Sequence, residues 1–181
     1  MMKSFCKFLL KLFGWKVIYT VPQYPKSIIC VAPHTSNWDF VLGKFAYWSV
    51  GGHAGFLIKE AWFFFPMNLI FKALGGIPVA KKRGSSLTEV LVEKFRHSDR
   101  MSIAITPEGT RSRVTEWRTG FLHIAYEAQV PIVLGAIDAA NKTVRIERTF
   151  YPTGDFKSDM RAIKDYYRNF QGIIPENFSA E

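Results

Sequence analysis

The chain has 181 residues, 48% of them hydrophobic with 16 Phe, which suits one domain with its own core, and no linker, internal repeat or low-complexity segment divides it. Its two cysteines, Cys6 and Cys30, are too few for a disulfide framework and point to a reducing compartment. The formal net charge of +9 either serves solubility alone or attracts an anionic partner, such as a phosphate-bearing substrate or an acidic membrane, while the lack of any nucleic-acid-binding motif argues against nucleic acid.

Over residues 3–13, Phe5, Phe8, Leu9, Leu12 and Phe13 recur at helical spacing, with Lys3, Lys7 and Lys11 on the other side. This pattern predicts an amphipathic helix lying at a membrane surface, its aromatic face among acyl chains and its lysines against anionic headgroups. It lacks the cleavage signature of a signal peptide and is too short to span a bilayer. We therefore divide the chain into a membrane-associating helix, 1–16, and a domain, 17–181. The alternative is a terminal helix packed on its own domain.

Ile28, Ile29, Cys30 and Val31 read as a buried strand, and Pro33-His34-Thr35-Ser36-Asn37-Trp38-Asp39 follows. Helical spacing resumes over 40–50. On one continuous helix, positions five apart diverge by about 140°. His34 and Asp39 can meet only if a strand-to-helix turn lies between them, and Ser36 or Asn37 is suited to cap the helix. Residues 55–58 are expected as a strand. The apolar stretch 61–71, interrupted by Pro66 and Asn68, is read as a buried or interface-dipping helix pair whose Trp62, Phe63, Phe64, Phe65, Met67, Leu69 and Ile70 either line an apolar channel or are plain core. A short strand, 77–79, enters through Gly75-Gly76, and Lys81, Lys82 and Arg83 follow it, where α/β sheets bind ligands.

Ser86 and Glu89 form a capping box for a helix expected to bury Leu87, Val90, Leu91 and Phe95. A strand at 101–106 runs into the polar turn Pro107-Glu108-Gly109-Thr110-Arg111-Ser112-Arg113, and Trp117-Arg118-Thr119-Gly120 opens a helix at 121–129. Strands at 130–137 and 143–150 and a helix at about 158–170 complete the chain. The alternation predicts an α/β fold: a single domain with a mostly parallel mixed β-sheet flanked by helices, antiparallel additions near the end, and the N-terminal amphipathic membrane-surface helix.

Of four histidines, only His34 has a carboxylate that a turn can bring to it. A carboxylate on one imidazole nitrogen fixes the tautomer and leaves the other nitrogen as a base. No Gly-x-Ser-x-Gly elbow surrounds Ser36, so the base is expected to act on a substrate hydroxyl or on water. His53, His97 and His123 are read as ordinary residues, and no metal-ligand spacing is present.

Four blocks stand in a fixed order: His34-Thr-Ser-Asn-Trp-Asp39, Gly75-Gly-Ile-Pro-Val79, Pro107-Glu-Gly-Thr-Arg-Ser112 and Val130-Pro-Ile-Val133. Together they resemble the glycerolipid acyltransferase family, typified by 1-acylglycerol-3-phosphate acyltransferases, and look most like its short bacterial members. The resemblance covers roughly residues 15–145. It implies that His34 is the general base oriented by Asp39, and that a lysophospholipid hydroxyl attacks an acyl thioester directly. The donor would be acyl-CoA or acyl-carrier protein, with no bound cofactor and no metal. Glu108, Gly109, Thr110 and Arg111 would bind the acceptor phosphate, with Glu108 alternatively holding the turn through a neighbouring arginine. Lys81 stands where the family usually has an arginine, with Arg83 nearby, which leaves another lipid-like acceptor open. Backbone N–H groups at the turn or at the helix start after His34 are the expected oxyanion donors. The implied location is cytoplasmic, peripherally attached to the inner face of the cell membrane. The reading from another class is a non-catalytic peripheral lipid binder.

Overall fold

Alternating apolar strands and amphipathic helices assemble into one seven-stranded sheet in the order β1-β7-β6-β2-β5-β3-β4. The structure is a computed structural model and describes residues 2–79 and 86–181; Lys81, Lys82 and Arg83 lie outside them. In chain order the elements are α1 (Met2–Leu12), β1 (Lys16–Tyr19), β2 (Lys26–Ala32), α2 (Asn37–Ser49), β3 (Gly55–Lys59), a 3₁₀ turn (Glu60–Trp62), α3 (Met67–Ala73) and β4 (Gly76–Val79). There follow α4 (Leu87–Arg96), β5 (Met101–Ile105), α5 (Gly120–Ala128), β6 (Ile132–Asp138), β7 (Thr143–Phe150), α6 (Phe156–Tyr167) and a second 3₁₀ turn (Pro175–Asn177).

The five central and outer strands β6, β2, β5, β3 and β4 are mutually parallel, and β7 adds to β6 in the antiparallel sense. Strand β1, which hydrophobic pattern alone does not reveal, closes the far edge beside β7. It is only four residues long, and its register comes from a partner more than a hundred positions away. Period-2 burial is visible in β2. Ile28, Cys30 and Ala32 face a core shared with α4, α5 and α6, whereas Ile29 faces a second core with Leu10 of α1 and Ala46 of α2.

Local chemistry sets the helix ends. Ser86 accepts the Glu89 N–H at 3.2 Å while Glu89 Oε2 accepts the Ser86 N–H at 2.9 Å, the reciprocal capping box expected from sequence. The buried face of α4 differs from the expected one: Leu91, Val92 and Phe95 are inside, Val90 is half-buried, and Leu87 is 45% exposed at the helix start. The segment at 61–71 is not a helix pair. A 3₁₀ turn gives way to irregular chain before α3, with Trp62, Phe64, Phe65, Leu69 and Ile70 exposed.

Helix α1 joins the domain. Cys6 and Leu10 are buried, Leu10 in the core under α2. Phe5, Phe8, Leu12 and Phe13, the face expected from its spacing, remain exposed. The boundary drawn at residue 16 falls at the first residue of β1.

Strands β2 and β5 are neighbours, yet β2 connects through α2 toward β3 and β5 connects through α5 toward β6, on the opposite side. The loops leaving their C-terminal ends therefore diverge and open a crevice, the position where open α/β sheets bind ligands.

Candidate active site

The loop after β2 delivers His34, and the first turn of α2 delivers Asp39. Ser36 caps α2 and Asp39 is its N3 residue, so the capping box bends the Asp39 carboxylate back toward the strand end. Asp39 Oδ2 accepts the Thr35 N–H at 2.5 Å and the Ser36 N–H at 2.7 Å, and lies 3.5 Å from His34 Nδ1. The Asp39 side chain is buried while that of His34 is 20% exposed, so the carboxylate is fixed and the imidazole reaches the crevice. With Nδ1 directed at Asp39, Nε2 is left free to take a proton. The Ser36 hydroxyl accepts the Trp38 N–H at 3.3 Å, so this serine is engaged as a cap.

Behind the loop, Thr35 Oγ1 accepts the Ile174 N–H at 3.1 Å, and a Cβ on Gly172 would come within 2.6 Å of the Thr35 side chain. Only a glycine lets the C-terminal segment press against the histidine loop this closely. Beneath it the buried Tyr167 hydroxyl donates to the Cys30 carbonyl at 2.6 Å.

The loop after β5 supplies the opposite wall. Glu108 Oε1 accepts the His34 N–H at 3.0 Å, so Glu108 holds the histidine backbone and makes no ion pair with an arginine among the described residues. Burial pushes its carboxyl up to about 7, the nearby Asp39 charge adds to this, and the His34 N–H and imidazole oppose it. Gly109 turns the chain with φ +66. Thr110 Oγ1 accepts the Ser112 N–H at 3.3 Å and so braces the turn. Arg111 donates to Asn37 Oδ1 at the start of α2, tying the two loops together.

Four of the backbone N–H groups expected as oxyanion donors are engaged within the protein. Those of His34, Thr35, Ser36 and Trp38 are already donated to Glu108, Asp39, Asp39 and Ser36 respectively.

His34 and Asp39 border a cavity of about 620 Å³ between α2 and the sheet. Its walls are apolar: Ile29, Ala104, Ile137, Val144 and Ile146 from the strands, with Gly43 and Tyr47 from α2. That volume falls in the range of small-molecule sites. Trp62, Phe63 and Phe64 do not line it, and Phe63 packs on Phe71 instead. Two glycines widen it. A Cβ on Gly43 would meet nothing nearer than Ile137 at 3.9 Å, and one on Gly135 would have 3.7 Å or more.

Two cations of this cavity are not apparent from sequence. Lys44 donates to the Ala54 carbonyl at 2.6 Å with its ammonium 5.3 Å from the ring centres of both Trp48 and Phe56, and burial lowers its pKa. Arg118 lies over Gly109 and lines the same cavity as His34. A glycine inside a helical pattern could have flagged Gly43. Nothing local flags Arg118, which a loop carries to the site. A base facing an apolar cavity with a cation at its edge is equipped to deprotonate the hydroxyl of an amphiphile.

Residues 18–137 match the family model described as Acyltransferase. Among solved structures, the crystal structure of the 1-acyl-sn-glycerophosphate (LPA) acyltransferase, PlsC, from Thermotoga maritima is similar, with a TM-score of 0.61 and 20% identity, over 93% of this chain and 77% of that one. At that identity the likeness is one of fold. No curated protein matches the chain.

Proposed function

The chain belongs to the acyltransferase family whose model it matches, and from that premise we propose that it transfers a fatty acyl group from an acyl thioester to the free hydroxyl of lysophosphatidic acid or a related lysolipid. The observation that carries this reading is the His34–Asp39 pair at an apolar cavity of about 620 Å³. His34 Nε2 takes the hydroxyl proton, and the oxygen attacks the thioester carbonyl. The carbon–sulfur bond then breaks, and the imidazolium returns the proton to the departing thiolate. Asp39 holds the tautomer and stabilises the imidazolium. The donor in this reading is acyl-CoA or acyl-carrier protein, used as a substrate, and no bound cofactor is needed.

The same reading places the protein on the cytoplasmic face of an anionic membrane. No helix among the described residues is long and apolar enough to cross a membrane. Phe13 is 67% exposed and Phe65 78% exposed, each within a cluster of large apolar side chains. Lys16 of β1 pairs with Thr143, which itself lies opposite Asp138 at the C-terminal end of β6. The end of α1 therefore lies at the sheet edge that carries His34, and Trp62–Phe65 leave β3 at that edge too. Lys3, Lys7 and Lys11 of α1 add attraction to anionic headgroups. An acceptor without phosphate is the second reading, favoured by the engagement of Arg111 with Asn37.

The test is consumption of an acyl thioester by the purified protein with and without lysophosphatidic acid. We expect turnover only with the acceptor, and a loss of at least about 10²-fold in kcat for His34→Ala. Wild-type turnover by that variant would overturn the assignment of the base.

A further inference from the structure

We propose that Arg118 takes the anionic headgroup of the acceptor, an assignment that rests on the acyl-transfer reading above. Three arginines follow β5, and two of them are occupied. Arg111 is held by Asn37, and Arg113 faces Glu181 at 3.8 Å. Among the described residues the Arg118 guanidinium has neither a carboxylate nor a carbonyl partner, and of the three it alone lines the cavity with His34. Glu108, the acid in the same loop, directs Oε1 to the His34 N–H.

The surroundings hold Arg118 in place. Its own N–H donates to the Pro107 carbonyl at 2.8 Å, and the adjoining Trp117 is buried with Nε1 donating to the Ser179 carbonyl at 3.0 Å. The side chain rests on Gly109, where a Cβ would lie 2.5 Å from Nε and 2.9 Å from Cζ. Gly109 therefore does two things: it adopts φ +66 to turn the chain, and it leaves bare backbone for a guanidinium to lie on. With the backbone held and the guanidinium resting on bare glycine, the planar fork can donate two parallel hydrogen bonds to one phosphate, which a lysine cannot. A lysophospholipid with its hydroxyl at His34 holds its phosphate beside the histidine, and Arg118 lines the same cavity as His34.

The experiment compares wild type, Arg118→Gln and Arg118→Lys with two acceptors, lysophosphatidic acid and the uncharged monoacylglycerol. For Arg118→Gln we expect the ratio of kcat/KM for the charged over the uncharged acceptor to fall at least about tenfold, through the acceptor KM, with Arg118→Lys between the two. A ratio that does not move, or a loss of kcat shared equally by both acceptors, overturns the proposal. Titration of each protein with sn-glycerol 3-phosphate separates this inference from the function it rests on. If wild type binds the anion and Arg118→Gln does not, the site stands even where lysophosphatidic acid is not turned over. If wild type fails to bind it, or Arg118→Gln binds it equally well, the site falls while acyl transfer survives.

Discussion

Burial and the neighbouring Asp39 carboxylate push Glu108 up to about 7, against the opposing pull of the His34 N–H and imidazole. One carboxylate oxygen holds the histidine backbone, and the other, Oε2, is buried without a partner among the described residues. An acid whose folded pKa is raised favours folding while it keeps its proton. From about pH 4.5, where the unfolded chain loses that proton, to about pH 7, where the folded one does, unfolding releases a proton and stability declines as pH rises. The full span is on the order of 3 kcal/mol. Thermal melts from pH 4.5 to 8 should therefore show wild type losing stability over this window and Glu108→Gln following a flatter course, since its amide can still accept the His34 N–H. A Glu108→Gln profile parallel to wild type would remove Glu108 as the titrating group.

At the scale of the element, α1 combines two kinds of apolar surface. Cys6 and Leu10 face the domain, and Phe5, Phe8, Leu12 and Phe13 face outward among lysines. Removing the whole helix would uncover the core beneath it and confound folding with binding. Replacing Phe5, Phe8, Leu12 and Phe13 by serine leaves the docking residues in place. Burying one such side chain contributes about 1.5–3 kcal/mol, and each lysine near an anionic surface about 1 kcal/mol. Flotation with vesicles containing anionic lipid should then show the substituted protein leaving the vesicle fraction while its melting temperature holds. Equal flotation of both proteins would remove α1 as the membrane contact.

The elements readable from sequence are those whose signal is local. The run at 28–31, the caps at Ser36 and Ser86, and the strand at 143–150 each carry their instruction within a few residues. So does the His34–Asp39 pair, because the capping box that aims Asp39 lies between them. Strand β1 and Arg118 depend on partners distant in sequence or on a loop path, and no window of sequence holds that information. The aromatic run at 62–65 was misleading for a different reason. Composition marks it as apolar without saying that it faces outward.

At the scale of the molecule, the cavity lies between α2 and the sheet, and Gly43 of α2 lines it. A glycine inside a helix costs about 0.5–1 kcal/mol relative to alanine. Here it stands one turn beyond Asp39, where a Cβ would come into ordinary van der Waals contact with Ile137 at 3.9 Å. Keeping the helix bare at that point keeps the cavity continuous from His34 toward Tyr47. Gly43→Ala should raise stability by about 0.5–1 kcal/mol in thermal or denaturant melts, since the methyl touches Ile137 without overlap and the helix gains propensity. Gly43→Leu extends a side chain into the path of the acyl chain. In the proposed reaction it should lower kcat/KM for long-chain donors more than for short ones, turning the preference toward shorter chains. A donor-length profile for Gly43→Leu identical to wild type would mean that the acyl chain does not occupy this cavity, whatever the His34–Asp39 pair does at its mouth.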